Sequence, residues 1–413
     1  MAWNPEPQPR WVDAIKALGD NLGDSGRSMV SLEQEYLLAS AAANTGLEDF
    51  GDDWFREPLG VLLRALEEEA QLTLVGRLLA RAEIQRILQN RLRVQDVWSR
   101  HPEILEEQVT APVVITGLGR SGTTLLHELL AQDPDNRVLH QWEAMYSAPP
   151  PERESFHSDA RIAAVERELV VMDECDPAFP AMHELGPTLP TECIYIFAHQ
   201  FATDKFTGEF FVPSYAIWNA THDLTPAYDY HRRFLKMLQW RNHGARWVLK
   251  TPSFLNNLGK LYATYPDARV VIAHRDPLRV IGSLANLMGT LQRMRSDQVN
   301  FQLQIEGMAA GFAAMLERMT AARHDGALAG RPIVDVRYSE LVADPLGTVE
   351  RLYEGWGLSL SADARRAMAR RLAQQGHGQR AHRYRFEDTG LDREEERARF
   401  ARYMAHYELA EEV

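Results

Sequence analysis

The residues best suited to chemistry lie in one stretch, Val113–Leu130, where three glycines and a cationic side chain separate two apolar runs. Gly117, Gly119 and Gly122 occur where a sharp turn needs residues without a Cβ atom. The first apolar run is long enough for one buried strand, and a leucine-rich helix follows the glycines. Backbone N–H groups converge on an anion in such a turn, and the helix N-terminus adds partial positive charge. The stretch therefore predicts a phosphate-binding loop.

The spacing of this loop differs from that of kinases and ATPases. Gly117 and Gly122 have the G-x-x-x-x-G spacing of a Walker A motif, in which Lys and then Ser or Thr would follow. Here Thr123 and Thr124 follow instead, and the cation is Arg120, two residues before the second glycine. The positive charge therefore lies in the middle of the loop. A glycine turn that merely links a strand to a helix would have no use for Arg and two threonines.

Two more predicted strands end in cationic side chains. Trp247–Leu249 is predicted to be a buried strand, and Lys250 leaves its carboxyl end. Val270–Ala273 is predicted to be another, followed by Arg275 and, in the second turn of the next helix, Ser283. Ligands of open α/β sheets bind beyond the carboxyl ends of the strands. Lys250 can therefore reach the same anion as the glycine loop, and the planar Arg fork with a hydroxyl can hold a second phosphate group.

These motifs resemble one enzyme family. The segment Arg120-Ser121-Gly122-Thr123-Thr124 resembles the phosphosulfate loop of sulfotransferases that use 3′-phosphoadenosine 5′-phosphosulfate (PAPS), which usually reads Lys-Ser-Gly-Thr-Thr. Lys250-Thr251-Pro252 and Arg275 with Ser283 match the family pattern in order and spacing. The resemblance covers roughly residues 110–405 and is strongest to the bacterial branch with an N-terminal helical domain. It implies an α/β fold: a P-loop-like three-layer α/β/α core with a central parallel sheet, an N-terminal all-helical domain and a helical lid insertion.

The resemblance also implies roles for individual residues. PAPS would be the co-substrate and 3′-phosphoadenosine 5′-phosphate (PAP) the product, and no metal is expected because a sulfuryl group carries less charge than a phosphoryl group. Lys250 would stabilise the bridging oxygen during transfer, assisted by Arg120. The residues implied for PAPS binding are Gly119, Arg120, Ser121, Gly122, Thr123 and Thr124 for the 5′-phosphosulfate, Arg275 and Ser283 for the 3′-phosphate, and Tyr338 near the adenine.

The catalytic base is less well defined by the resemblance. Many animal members have a catalytic histidine two residues after the family lysine, but this chain has Pro252 there, which cannot take a proton. A short second strand is predicted at Arg137–His140. Some bacterial members use a glutamate just after the second strand, and Glu143 fits that place. His183 and Glu192 are the alternatives. A solvated or ion-paired glutamate is the alternative interpretation of Glu143.

An aromatic-rich stretch at residues 182–218 predicts an apolar acceptor cavity. His183, Glu192, Phe197 and Phe201 are its candidate contacts with the acceptor. An ordinary helical core would explain the same aromatic residues equally well. The acceptor is expected to be an alcohol, phenol or lipid hydroxyl, and its identity stays open.

Composition excludes several classes of function. The chain has 413 residues, 45% of them apolar, and a net charge of −13, which argues against a general nucleic-acid binder. Two cysteines, Cys175 and Cys193, are expected to stay reduced in a cytosolic protein. The N-terminus has no signal-peptide pattern, and no apolar window is long enough for a membrane span. We expect a cytoplasmic protein, and a homodimer is left open.

The chain divides into two predicted domains. Residues 1–108 are predicted to form the helical domain, with one helix from Thr73 to Leu92 and another from Val94 to Arg100. These helices are expected to pack on the core or on a partner, and a contribution to the acceptor pocket is the alternative. Residues 109–413 are predicted to form the sulfotransferase core. A helical acceptor-side insertion is predicted at about 150–245, and a cofactor-closing segment at about 376–413. Arg383 and Tyr384, in a basic run of that acidic segment, are candidate contacts with the nucleotide.

The function predicted from the sequence is metal-independent, in-line transfer of a sulfuryl group from PAPS to a hydroxyl, with a carboxylate as the base. Two other classes are weighed against it. An ATP-dependent small-molecule kinase would use the same loop architecture but needs the lysine that Thr123 replaces. A nucleotide sensor without catalysis would not need Arg120, Lys250 and Arg275 together.

Overall fold

The computed structural model of the chain describes Pro5, residues 7–375 and residues 386–413. Five parallel strands form its central sheet: β1 (Val113–Gly117), β2 (Asn136–Val138), β3 (Arg246–Lys250), β4 (Arg269–His274) and β5 (Ile333–Arg337). Their order across the sheet is β2-β3-β1-β4-β5. The parallel α/β architecture predicted from the sequence is confirmed.

The strands form where the sequence has short runs of β-branched and apolar residues, which suit a sheet covered on both faces. All five residues of β1 are buried. The second strand is shorter than the predicted Arg137–His140 and begins one residue earlier. His140 leaves the sheet because it precedes a helix, and it pairs instead with Pro190 in an isolated antiparallel bridge.

Helices fill the chain before the sheet. The helices are α1 (Arg10–Leu22), α2 (Asp24–Met29), α3 (Gln34–Thr45), α4 (Arg56–Glu68) and α5 (Leu74–Arg100). Helix α5 is a single helix of 27 residues, so the predicted division before Val94 is wrong. Its buried face continues through Leu92, Val94 and Val97, and no helix-breaking residue occurs until Pro102.

The remaining helices connect and cover the strands. Helix α6 (Thr123–Leu130) follows β1, and α7 (Gln141–Met145) follows β2. Between β2 and β3 the chain also forms α8 (Ala160–Cys175), α9 (Phe179–Met182), α10 (Ile194–Ala198), α11 (Lys205–Glu209), α12 (Pro213–Thr221) and α13 (Thr225–Gln239). The later helices are α14 (Leu258–Thr264), α15 (Pro277–Arg293), α16 (Phe301–His324), α17 (Tyr338–Ala343), α18 (Pro345–Gly355), α19 (Ala362–Gln375) and α20 (Arg393–His406).

The sheet is the middle of three layers. Val113 and Ile115 face one apolar cluster, which includes residues of α6, α18 and α19. Val114 faces a second, larger cluster, which includes residues of α13, α14, α15 and α16. This alternation follows from the two-residue period of a strand. Because both faces are covered, the carboxyl edge of the sheet is left to form a site.

The N-terminal helices and the insertion share a hydrophobic core. Leu59, Leu62 and Leu88 pack in the same buried cluster as Phe201 and Phe206 of the insertion. The predicted boundary near residue 108 therefore does not separate two independent cores, and the division into domains stays a prediction. Within the described residues, no helix combines the length and apolar character that crossing a membrane requires.

Candidate active site

The order of the strands explains how three distant motifs meet. Strand β1 lies between β3 and β4, so the loop after Gly117 has the carboxyl end of a strand on either side. Lys250 is the last residue of β3, and Arg275 directly follows β4. The two cations therefore flank the glycine loop, as the sequence predicted.

The loop has a backbone that requires glycine at two positions. Gly117 has a φ of +143°, and a Cβ atom there would lie 2.4 Å from the carbonyl oxygen of Ala273. Gly122 has a φ of +92°, and a Cβ atom there would lie 3.0 Å from the ring of Tyr338. Between them, the Ser121 hydroxyl donates a 2.6 Å hydrogen bond to the carbonyl of Leu118. The loop is thus held in a sharp turn that delivers the chain to the N-terminus of α6.

Lys250 joins the loop to the insertion. Its ammonium group donates a 3.2 Å hydrogen bond to the Thr124 hydroxyl and lies 2.8 Å from the Glu192 carboxylate. The carbonyl of Lys250 accepts a 2.8 Å hydrogen bond from the Cys193 amide. This backbone bond fixes Glu192 beside the lysine. A buried ammonium in this position can donate hydrogen bonds to an anion that binds in the loop.

Arg120 and Arg275 connect the two halves of the predicted anion site. The Arg120 side chain donates to the Ser283 hydroxyl at 3.1 Å and to the Met182 carbonyl at 3.2 Å. The Arg275 guanidinium donates to the backbone carbonyl of Arg120 at 2.9 Å. Residues predicted for the 5′ and the 3′ groups of one nucleotide are therefore in direct contact.

The position of the Arg275 side chain suits an oxyanion. Its guanidinium lies 3.7 Å from the ring centroid of Tyr338. It donates to the Glu412 carboxylate at 2.9 Å through Nε and at 2.6 Å through Nη2. A carboxylate on this fork has the geometry by which Arg also holds phosphate. The Arg275 side chain is thus suited to a phosphate group, as the resemblance implies.

His183 completes the group around Lys250. Burial lowers the pKa of His183 to about 4; the Glu192 carboxylate opposes this shift, and Lys250 and Arg120 add to it. These four side chains therefore interact electrostatically in one small volume. The imidazole is neutral near pH 7, so it can accept or donate a hydrogen bond there without adding charge.

Glu143 is found in a different setting from the one predicted. Its carboxylate is fully buried and forms a two-armed ion pair with the Arg137 guanidinium. It also accepts a 3.1 Å hydrogen bond from the His140 amide, which begins α7. This geometry corrects the expectation that Glu143 faces the reacting group, because its oxygens are occupied by Arg137 and by the cap of a helix.

The two aromatic residues predicted to contact the acceptor are also part of the core. Phe197 packs against Tyr228, His231 and Phe254, and Phe201 is fully buried between the insertion and the N-terminal helices. Neither side chain lines the large cavity described below. Their apolar character serves packing, which is the alternative the sequence had left open. Arg383 and Tyr384 lie outside the described residues.

A large cavity opens onto the glycine loop. Its volume is about 1330 Å³, and Gly119, His183 and Glu192 are part of its lining. Most of the remaining wall is apolar and comes from α5, the insertion, α15 and α16. The apolar lining includes Leu79, Met172, Phe211, Leu287, Met288 and Phe312. Ligand pockets for drug-sized molecules are usually about 300–1,000 Å³, so this cavity suits a longer or bulkier molecule.

Two walls of this cavity come from helices outside the insertion. Helix α5 contributes Leu79 and Arg86, so the alternative interpretation of the N-terminal helices, a contribution to the acceptor pocket, is the one the cavity supports. Helix α16 contributes Met308, Phe312 and Met315 at helical spacing. That stripe was visible in the sequence but does not differ from an ordinary core stripe. Only the tertiary structure shows that it faces open space.

The cavity wall also contains a buried ionic cluster. The Lys205 ammonium lies between the carboxylates of Glu83 and Glu209. Burial would raise the pKa of Glu83, but Lys205, Arg86 and Arg295 outweigh it and hold the pKa at about 2. The cluster joins α5 to α11 and to the residues after α15, so it fixes the N-terminal helices against the cavity.

Comparisons with known proteins agree with this fold. Residues 112–363, more than half of the chain, match the model of the "Sulfotransferase family". The chain therefore belongs to the sulfotransferase family. A curated relative is omega-hydroxy-beta-dihydromenaquinone-9 sulfotransferase Stf3 of Mycobacterium tuberculosis, which is 25% identical over 272 residues. A protein of the same name from Mycobacterium bovis matches equally. The match covers 60% of this chain and 63% of the length of those relatives.

Two solved structures share the fold over nearly the whole chain. Sulfotransferase STF1 from M. tuberculosis H37Rv has 35% identity and a TM-score of 0.80, and the match covers 91% of this chain and all of STF1. Sulfotransferase STF9 from Mycobacterium avium has 27% identity and a TM-score of 0.85, and the match covers 92% of this chain and 98% of STF9. Less than a tenth of the chain lies outside each match, so most residues of the N-terminal helices are included in the similarity.

Proposed function

We propose that this protein transfers the sulfuryl group of PAPS to the hydroxyl of a large, mainly apolar acceptor and releases PAP. One observation carries the proposal. The glycine loop and the apolar cavity meet where Gly119, Glu192 and His183 line a common surface. A donor bound on the loop and an acceptor in the cavity would have their reacting groups at that junction.

The donor side is defined by complementary charge. Backbone amides of the loop and the N-terminus of α6 would hold the 5′-phosphosulfate. Arg120 and Lys250 would add charge-assisted hydrogen bonds to it, and Arg275 and Ser283 would hold the 3′-phosphate. Tyr338, stacked on Arg275, would lie next to the nucleoside. The whole chain has a net charge of −13. The cations of this site make it locally positive, which favours an anionic ligand.

In the proposed reaction the acceptor oxygen forms a bond to sulfur while the bond from sulfur to the phosphate oxygen breaks. The proton of the acceptor hydroxyl passes to the Glu192 carboxylate. Negative charge builds on the departing phosphate oxygen, where Lys250 and Arg120 stabilise it. Preorganised donors of this kind are often the largest contribution to catalysis, because they need no reorganisation during the reaction.

Glu192 is a better candidate for the base than Glu143. It lines the cavity, and its carboxylate lies beside Lys250, so an acceptor hydroxyl that reaches this pair from the cavity would be near both. Glu143 is closed off by Arg137. His183 is the nearest alternative, and its neutral imidazole can donate or accept a hydrogen bond at the same junction. We assign to His183 the role of orienting the acceptor hydroxyl.

The size and lining of the cavity indicate the class of acceptor. A volume of about 1330 Å³ with a mostly apolar wall suits a lipid alcohol more closely than a small phenol. The Stf3 relatives are named for a hydroxylated menaquinone derivative. By analogy, we propose an acceptor with a long apolar body and a hydroxyl at the end that reaches the loop.

The proposal is tested by following ³⁵S from labelled PAPS into 1-hexadecanol and, for comparison, into 4-nitrophenol. We expect labelled hexadecyl sulfate, formed in the presence of a metal chelator and at a much lower rate with Lys250→Met. Binding of PAP without transfer to either hydroxyl would favour a nucleotide sensor. Transfer of ³²P from ATP with Mg²⁺ to the same alcohols would favour a kinase.

A further inference from the structure

Glu412, the residue before Val413, contacts the arginine implied for the 3′-phosphate. Its carboxylate accepts hydrogen bonds from Nε and Nη2 of Arg275 at 2.9 and 2.6 Å. The side chain of Arg275 is 13% exposed and that of Glu412 is 29% exposed. This is therefore a partly buried, two-armed ion pair and differs from a transient surface contact.

The segment that carries Glu412 is anchored beside Arg275 by other bonds. The amide of Glu412 donates a 2.7 Å hydrogen bond to the Asp276 carboxylate. Arg397 of α20 donates to the same carboxylate at 2.7 and 2.8 Å and to the Val413 carbonyl at 2.7 Å. Because these bonds do not involve the Glu412 carboxylate, the anchor can persist when that carboxylate turns away from Arg275.

A carboxylate and a phosphate cannot both bind the same edge of one guanidinium. Each needs the parallel N–H groups of the fork, and the two anions would repel each other at that distance. We propose that the Glu412 carboxylate competes with the 3′-phosphate of the nucleotide for Arg275 and thereby sets the affinity of the site. This inference rests on the proposed function, in which Arg275 binds that phosphate.

Such competition would affect only nucleotides that carry a 3′-phosphate. A nucleotide with a 3′-phosphate must exchange the Glu412 carboxylate for its own phosphate, whereas a nucleotide without that group leaves the ion pair in place. The exchange lowers the affinity for donor and product alike. It would therefore favour release of PAP, which shares the 3′-phosphate with the donor.

The test compares Glu412→Gln with the wild-type chain by calorimetry at low salt. Glutamine keeps the size of the side chain and removes its charge. We expect PAP to bind the variant about fivefold more tightly, which is what an ion pair worth about 1 kcal/mol would give. AMP, which lacks the 3′-phosphate, should bind the variant and the wild type with affinities within about twofold of each other.

Glu411→Gln is the matched control. Glu411 is adjacent, its side chain is 71% exposed, and its carboxylate lies near Arg397 and not on Arg275. This variant should bind PAP as the wild type does. Equal PAP affinity in Glu412→Gln and wild type would overturn the competition, as would an equal gain for AMP, which would indicate a general charge effect. Failure of both chains to bind PAP would refute the proposed function itself, and the competition with it.

Discussion

The Glu192 carboxylate lies 2.8 Å from the Lys250 ammonium, so the proposed base and the proposed stabiliser of the leaving oxygen form one ion pair. Lys250 belongs to the sheet and Glu192 to the insertion, and the Cys193 amide binds the lysine's carbonyl. The two parts of the fold therefore meet at the reacting centre.

Replacing Glu192 with Gln should lower kcat by about 10²–10⁴-fold, the usual contribution of a general base. PAP affinity should not weaken, because Lys250 keeps a hydrogen-bonding partner and loses only a neutralising charge. Steady-state kinetics with ³⁵S-labelled PAPS and calorimetry with PAP separate the two effects. Glu184→Gln is the control, since Glu184 is exposed and lies outside the cavity lining. A kcat near that of the wild type would remove Glu192 as the base.

Replacing Glu143 with Ala should destabilise the protein by about 3–5 kcal/mol, because the buried Arg137 charge would lose its partner. Urea unfolding measures this loss. The double variant Arg137→Met, Glu143→Leu should recover much of the stability, since no unpaired charge remains. Enzyme that stays folded should keep its turnover number. A large fall in kcat with little loss of stability would restore Glu143 as the candidate base.

Filling the cavity should affect the acceptor and spare the nucleotide. Gly208 of α11 lines the cavity, and a Cβ atom there would have no neighbour within 4 Å. Gly208→Phe should raise KM for hexadecanol about tenfold, which corresponds to a loss of about 1.4 kcal/mol of binding free energy. The Kd for PAP should be unchanged. Gly355→Phe, at an exposed position that also has open space, should change neither value.

Stability should fall as the pH is lowered from 6.5 towards 5. Burial lowers the pKa of His199 and of His231 to about 3, so both stay neutral in the folded chain while the unfolded chain takes up protons near pH 6.5. The unfolded state therefore binds more protons in this window, and folding weakens as pH falls. Each such histidine should cost about 2 kcal/mol at pH 5.

Urea midpoints at pH 7 and pH 5 test this effect. In His231→Gln the difference between the two pH values should shrink by about 2 kcal/mol, because one buried group no longer titrates. The ring nitrogen of His231 lies 2.8 Å from the Tyr265 hydroxyl, and an amide can keep that contact. An unchanged pH dependence in the variant would show that His231 is not a source of it.

The parts of the fold that depend on local pattern were predictable. Strands β1, β3 and β4 appeared in the sequence as short apolar runs, and Lys250 and Arg275 could be placed because parallel strands end at one edge. The contacts of the Glu143 side chain could not be predicted from local pattern. Its position after β2 was predicted correctly, but the side chain turns towards Arg137, a partner that only the folded chain supplies.

The acceptor side was less predictable because its walls come from distant segments. An aromatic residue such as Phe201 has the same sequence signature in a core and in a cavity, and packing against the N-terminal helices decides between them. The contribution of α5 to the cavity has no local signal. The contact of Glu412 with Arg275 joins residues 137 positions apart and likewise depends on tertiary structure.

The most direct test of the central claim is calorimetry of PAP in the absence of metal and of ATP with Mg²⁺, using the wild-type chain and Arg275→Ala. We predict that PAP binds without metal and more tightly than ATP. The variant should lose about 10- to 100-fold in PAP affinity, since charge-assisted hydrogen bonds contribute about 1.5–3 kcal/mol. Preference for ATP with Mg²⁺, or PAP binding that is unaffected by Arg275→Ala, would contradict the account.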